Sequence, residues 1–376
     1  MLRRCAHIVA ASVLLSACSG GNDEASGVSQ RASYPYEGKC GISSGYSGDG
    51  LCLGSPPADE GFQLHYGPTR YDDPSLVEPF LLGPGEEITD CLYMTTPNDT
   101  EVFWRDYHLR ARTGTHHIIV YTGSGADVPD GTLGECNQGT DMRFFVGAQS
   151  GLAPDGVSLD VPLPGSRDVP ENEGYAQRLP PRTRVAFNVH YVNTTNEPIL
   201  REAWVNFHYR PADEVKVVMD PIFFIGGLGM EIQPGSHQVV AAQGCAVPDS
   251  GPEELRVMGV SGHMHAHGLR FSAWKVDAAG ARTLVYDTYD WEEPLNAQFD
   301  SAHEYAPPDP LARTDGALSG LLTIRRGESL DWECEFLNDD LDTSLVFSDK
   351  AYTGEMCNLF GWYAPSVGVP WSCYRF

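Results

Sequence analysis

Short runs rich in Val, Ile, Phe, Tyr and Trp recur along the chain: His116 to Tyr121, Arg184 to Val192, Ala203 to Tyr209, Leu255 to Ser261, Leu269 to Val276 and Ser329 to Phe336. Many alternate apolar with polar residues, a period of two that sends every second side chain to one face, as in a half-buried strand. Turn residues separate the runs. Gly and Pro, at 40 and 27, suit many tight connections between short strands. No long stretch carries helical periodicity, and no repeat of fixed period appears. The pattern predicts an all-β fold of β-sandwiches rather than an α/β chain. With 376 residues there is room for two domains, and Arg210-Pro211-Ala212-Asp213, which follows a strand, marks their joint.

The first residues read differently. Arg3 and Arg4 form a basic start, Ile8 to Leu15 is apolar but too short for a stop-transfer helix, and the segment closes on Leu15-Ser16-Ala17-Cys18. This resembles the bacterial lipobox, so residues 1–17 are expected to be a signal peptide and Cys18 a lipidated first residue. Ser19 in place of Asp points to outer-membrane sorting. Residues 18–69 then form a tether and a Gly- and Pro-rich segment holding Cys40 and Cys52, followed by domains at 70–210 and 211–376.

Export makes disulfides permissible. Setting aside Cys5 and Cys18 leaves eight cysteines, none in a C-x-x-C pair, which favours structural bridges over a thiolate metal site. Sequence alone does not choose among their pairings. The formal net charge of −26 argues against a nucleic-acid partner or direct docking on anionic lipid, since both need a basic surface. Membrane attachment is expected only through the lipid anchor.

The candidate chemistry lies in histidines. Thr115-His116-His117-Ile118-Ile119-Val120 and Asn188-Val189-His190-Tyr191 fall in the first β segment; Gly262-His263-Met264-His265-Ala266-His267-Gly268 falls in the second. On a strand, His-x-His places imidazoles on one face at a spacing one metal can bridge. Imidazole suits zinc, copper, iron and nickel, whereas a thioether such as that of Met356 is soft and favours Cu(I). Adjacent His116 and His117 should point to opposite faces of a regular strand. Joint ligation therefore needs a bulge, or one ring binding through Nδ1 and the other through Nε2.

Taken together and in order, HHIIVYTG, NVHY, GHMHAHG and EMCNLF (Glu355 to Phe360) resemble the copper type II, ascorbate-dependent monooxygenases, the family of peptidylglycine alpha-hydroxylating monooxygenase and dopamine beta-hydroxylase. The resemblance covers roughly residues 86–373. It implies two antiparallel, jelly-roll-like β-sandwiches facing each other across a cleft, and two coppers per chain. His116, His117 and His190 match the electron-transfer copper of the first domain. His263, His265 and Met356 match the oxygen-binding, catalytic copper of the second, a distant site, with Gly268 fixing the register so that His267 is left as a spectator. The resemblance also implies the pairs Cys91–Cys136, Cys245–Cys373 and Cys334–Cys357, leaving Cys40–Cys52. The implied reaction hydroxylates a substrate C–H bond with O2 and ascorbate or a similar one-electron reductant.

The match fails at two substrate positions. The peptide-hydroxylating branch has Arg where Ser261 stands and Tyr where Phe360 stands, although Asn358 remains as a weak substrate contact. A peptide with a free carboxylate is therefore not the expected substrate, and the small molecule or peptide that is hydroxylated stays open. A non-catalytic copper-binding lipoprotein, for storage, delivery or sensing, is the alternative. A zinc hydrolase is disfavoured, since no H-E-x-x-H element accompanies Glu355. His108, His208 and His303 have no counterpart, and a structural role is expected for them.

Overall fold

A computed structural model describes residues 34–38, 40–123, 125, 127–136, 143–149, 157–162, 174–247, 251–292, 294–300, 304 and 315–376; the signal segment, Cys18 and His303 lie outside these. The described chain is mostly β, with only short helical turns among the described residues. All six predicted runs are strands, with ends unchanged or extended by one or two residues: Thr115–Thr122, Arg184–Val192, Ala203–Arg210, Glu254–His263, Gly268–Val276 and Ser329–Leu337.

Strand Ser329–Leu337 shows the physical rule at work. Leu330, Trp332, Cys334 and Phe336 are fully buried, while Glu333 and Glu335 on the other face meet Arg282 at 2.8 Å and Arg270 at 3.5 Å. Two apolar cores result. One is built on Trp104, Tyr107, Phe187, Val189 and Phe207, the other on Phe224, Leu255, Val257, Phe271 and Trp332. Pro211, Ala212 and Asp213 connect strands Ala203–Arg210 and Val217–Gly226 within one compact unit, Tyr36–Phe376. Strand Gly61–Tyr66 pairs with Ala203–Arg210 from Gly61↔His208 to Tyr66↔Ala203, so the first half starts before residue 70.

A five-stranded sheet containing Glu87–Thr95, Arg184–Val192 and Thr115–Thr122 belongs to the first half, and a four-stranded sheet containing Ser329–Leu337 and Gly268–Val276 to the second. A third sheet, with 12 strands among the described residues, runs through both halves. Its joint is a parallel pairing of Tyr175–Leu179 with Val217–Gly226. Apolar contacts reinforce it. Phe144 stacks on Phe223 at 5.8 Å and on Phe360 at 5.1 Å, and Met258 and Trp362 of the second half join the first core.

The disulfides are Cys40–Cys52, Cys91–Cys136, Cys245–Cys373 and Cys334–Cys357, the pairs expected. Cys334–Cys357 links the central strand of the four-stranded sheet to the residue after Met356, with both cysteines fully buried. Replacing both with Ala should lower unfolding free energy by about 2–4 kcal/mol. Denaturant unfolding of the oxidised protein and the double variant measures this; equal midpoints would contradict a structural role for the bridge.

Candidate metal centre

The His116–His117 problem is solved by a bulge. His190 pairs with His117 and the next residue, Tyr191, pairs with Thr115, so His116 is the extra residue in its strand. A bulge rotates the extra residue out of strict alternation. Both rings thereby lie 4.9–5.0 Å from the His190 ring, centroid to centroid.

In GHMHAHG the strand ends at His263 and the chain turns, with the Gly268 N–H donating to the His265 carbonyl at 2.9 Å. Met264 is buried in the second core, away from the histidines. The flanking glycines have no room for a Cβ: one at Gly262 would meet the Phe271 ring at 2.5 Å, and one at Gly268 would meet Met264 at 2.8 Å. His267 turns aside, its Nε2 bonded to the Tyr352 carbonyl at 3.0 Å. It does not join the cluster, because the regular strand that would have aligned it with His263 has already ended.

The structure gathers His116, His117, His190, His263 and His265 into one place. Ring centroids lie 5.3 Å apart for His116 and His265, 5.9 Å for His116 and His263, and 5.4 Å for His117 and His263. One ring nitrogen from each of His116, His263 and His265 lies within 4.8 Å of the others. The wide separation implied for the two copper sites is therefore corrected: the sets are in ring contact, because the histidine-bearing strands of the two halves end against each other.

All five rings are 5% exposed or less. Burial, followed by the neighbouring imidazoles, holds His117 and His263 well below the usual histidine value, and burial with His190 brings His265 down to about 4. At neutral pH His117, His263 and His265 are therefore uncharged and keep a lone pair.

Two rings show which nitrogen is committed. His190 Nε2 lies 2.8 Å from Glu87 Oε1 and His265 Nδ1 lies 3.3 Å from the Gly354 carbonyl. Each is assigned as the N–H donor, leaving His190 Nδ1 and His265 Nε2 as the lone-pair nitrogens. Those two atoms and His117 Nδ1 are buried without a hydrogen-bond partner among the described residues. Leaving such a nitrogen unsatisfied costs about 1–3 kcal/mol, and an ion removes that cost. Imidazoles tied on one nitrogen to a carboxylate or carbonyl and open on the other have the arrangement of metal-bound histidine. The donor set fits copper.

Met356 is half-buried and precedes strand Cys357–Ala364, on which Asn358 lies directly opposite His263. Met356 and Asn358 share a face, and Asn358 Nδ2 contacts the Met356 sulfur at 3.4 Å. Asn358 thus touches the thioether beside the histidines. Phe360, opposite Ser261, puts its apolar ring 6.0 Å from that of His263.

Three further residues complete the surroundings. Besides holding His190, Glu87 Oε1 accepts the Ala351 N–H at 2.9 Å, tying the first half to the loop before Met356. Burial alone would raise its carboxyl; the bonds from His190 and Ala351 bring it below its usual value. Glu355 accepts the N–H groups of His265, His267 and Met356 at 2.9, 2.7 and 3.3 Å. Burial raises it to about 8 against the lowering by those bonds. Trp291 places its ring 5.6 Å from that of His116. Neither Glu87 nor Trp291 stands near a histidine in the sequence. Glu355 adjoins Met356, but only the fold shows its role.

No protein-family model and no curated protein matches the chain. Among solved structures, the major capsid protein P2 of bacteriophage PM2 is 10% identical, with TM-score 0.31, over 82% of this chain and 100% of that one. A triple jelly-roll protein of an archaeal virus is 9% identical, with TM-score 0.20, over 84% and 61%. Peptide N-glycanase F is 6% identical, with TM-score 0.30, over 80% and 94%. Likenesses this low carry no argument about the site.

Two outcomes follow. Glu87→Gln should weaken copper binding about 10- to 100-fold, the usual effect of losing a carboxylate behind a ligating histidine; competition against a copper chelator reads it, and unchanged affinity would remove Glu87 from the centre. The apoprotein should also lose stability as pH falls from 6.5 to 5. There the unfolded chain protonates the rings of His117, His263 and His265 while the folded chain does not, at up to about 1.4 kcal/mol per pH unit per ring. Glu355 works in the opposite direction, its folded carboxyl keeping a proton that the unfolded chain has lost, so the net slope is that of three rings against one carboxyl. Urea midpoints measured across this window check the sign, and a midpoint that rises on acidification contradicts it.

Proposed function

We propose that this protein is an exported, copper-dependent monooxygenase that hydroxylates a C–H bond with O2 and an ascorbate-like reductant. The observation that carries the reading is the convergence of five buried histidines beside the thioether of Met356, with His117 Nδ1, His190 Nδ1 and His265 Nε2 unbonded among the described residues. Two coppers per chain would be held by His116, His117, His190, His263, His265 and Met356. Bound copper supplies one-electron chemistry with dioxygen, and the soft sulfur of Met356 favours its Cu(I) state.

The chain's own residues do the rest. Glu87 and the Gly354 carbonyl hold the His190 and His265 rings by their N–H groups. Glu355 fixes the backbone of the His265–His267 turn and of Met356. Burial keeps bulk water from the rings. Phe360, with Ser261 opposite, supplies a wall without the positive charge that a substrate carboxylate would want. An apolar C–H substrate suits it better.

The four disulfides fit an oxidising, exported setting. Among the described residues no helix is long and apolar enough to cross a membrane. Lipid attachment through Cys18, at the outer membrane, is part of the proposal and rests on the sequence. The alternative, a non-catalytic copper-binding lipoprotein, is favoured by one observation, the direct contact between the two histidine sets. Storage of a reduced ion needs no space for a substrate between them.

Met356→Ile separates the readings. Copper should remain bound, while ascorbate-driven O2 consumption, measured over a panel of C–H substrates, should fall about 10-fold or more as the site loses its soft donor. Full turnover in the variant would sink the assignment of Met356. Copper binding without turnover in the wild type would leave the non-catalytic reading.

A further inference from the structure

We propose that Asp106, His108 and His208 form a separate site for a divalent first-row cation such as Zn(II), on the outer face of the first half. Asp106 and His108 are two apart on strand Val102–Ala111, and His208 lies directly opposite Asp106 on strand Ala203–Arg210. On these strands Tyr107, Leu109, Val205 and Phe207 enter the first core, so alternation sends Asp106, His108 and His208 to the opposite face together. One ligand atom from each lies within 4.8 Å of the others. His108 Nε2 is already 3.8 Å from Asp106 Oδ1.

Zinc takes imidazole and carboxylate ligands at ~2.1 Å, which puts tetrahedral neighbours ~3.4 Å apart. The three ligand atoms, now within 4.8 Å of one another, would draw together on binding. Two histidines and a carboxylate are the donor set of open, three-ligand zinc and non-haem iron sites.

The surroundings favour an ion over a simple surface pair. Arg105 Nε approaches Asp106 Oδ2 at 3.4 Å, but Oδ1 is buried and accepts no hydrogen bond among the described residues. The His108 and His208 rings stand edge to face at 5.3 Å, and Tyr36 stacks on His208 at 6.2 Å. Farther along the same face the N-terminal segment closes over the sheet. Arg110 pairs there with Glu37 at 2.9 Å, and Asn206 donates to the Gly54 carbonyl at 2.8 Å. The triad is left at the margin of this cover, with the Asp106 and His108 side chains each 21% exposed, open enough for an ion to enter.

The site is independent of the copper reading and is tested with the buried cluster disabled. In a full-length His116→Ala/His263→Ala background, stripped of metal, Zn(II) is titrated against a chromophoric chelator. One equivalent should bind, and adding Asp106→Asn or His208→Ala should weaken it about 10-fold or more. Loading with Co(II) should give visible ligand-field bands that change when His108→Gln, a variant of similar size, is added. Near-UV circular dichroism identifies any variant that has lost its fold, and the other two then decide. Absence of a bound equivalent in the background, or affinity unchanged by the substitutions, overturns the proposal and leaves an ordinary His–Asp pair.

Discussion

Five imidazoles buried together at one place set the terms for the rest of the molecule. Each ring gives up hydration on both nitrogens, and one nitrogen can donate only if the other is left with a lone pair. The Glu87 carboxylate and the Gly354 carbonyl take the donated protons of His190 and His265. Among the described residues nothing donates to the opposite nitrogens, and an ion would fill that place. Donor chemistry, burial and the low basicity of His117, His263 and His265 favour a metal-loaded state over a protonated one.

That arrangement demands accuracy from both halves. The strands bearing His116, His117 and His190 belong to one sheet, and the turn bearing His263 and His265 grows from another. They meet because the 12-stranded sheet is continuous across the joint and because Phe144, Phe223 and Phe360 fill the space beside the histidines. Glu87 adds a polar tie across the same boundary through the Ala351 N–H. On the far side of Met356, Cys334–Cys357 fixes the loop to the second core. Metal chemistry at this junction would depend on the relative placement of the two halves, so changes in their packing should reach the site without touching a ligand.

Much of this was legible in the residues, for reasons that differ. Strands such as Ser329–Leu337 declare themselves by alternation, since one face meets the core and the other meets water. Strand Val102–Ala111 did not: the consecutive Arg105 and Asp106 break the alternation between Trp104 and Tyr107, and Arg110 is itself buried under the N-terminal segment. The disulfides came from the family resemblance, as spacing alone leaves the pairings open. Sequence posed the His116–His117 conflict, and the one-residue bulge against Tyr191 resolved it. Glu87 and the contact between the histidine sets were invisible because they join residues far apart in the chain, and no local pattern encodes the angle at which two halves meet.

The central claim is that the histidines of the two halves make one centre rather than two distant ones. The most direct measurement is the copper affinity of the His263/His265 side in a His116→Ala variant, read by chelator competition with the stoichiometry followed throughout. Because His116 lies within ligand reach of both rings, its removal should weaken that copper about 10-fold or more, beyond any equivalent lost from the His117/His190 side. Loss of a single equivalent with the remaining copper bound at wild-type affinity would contradict the account.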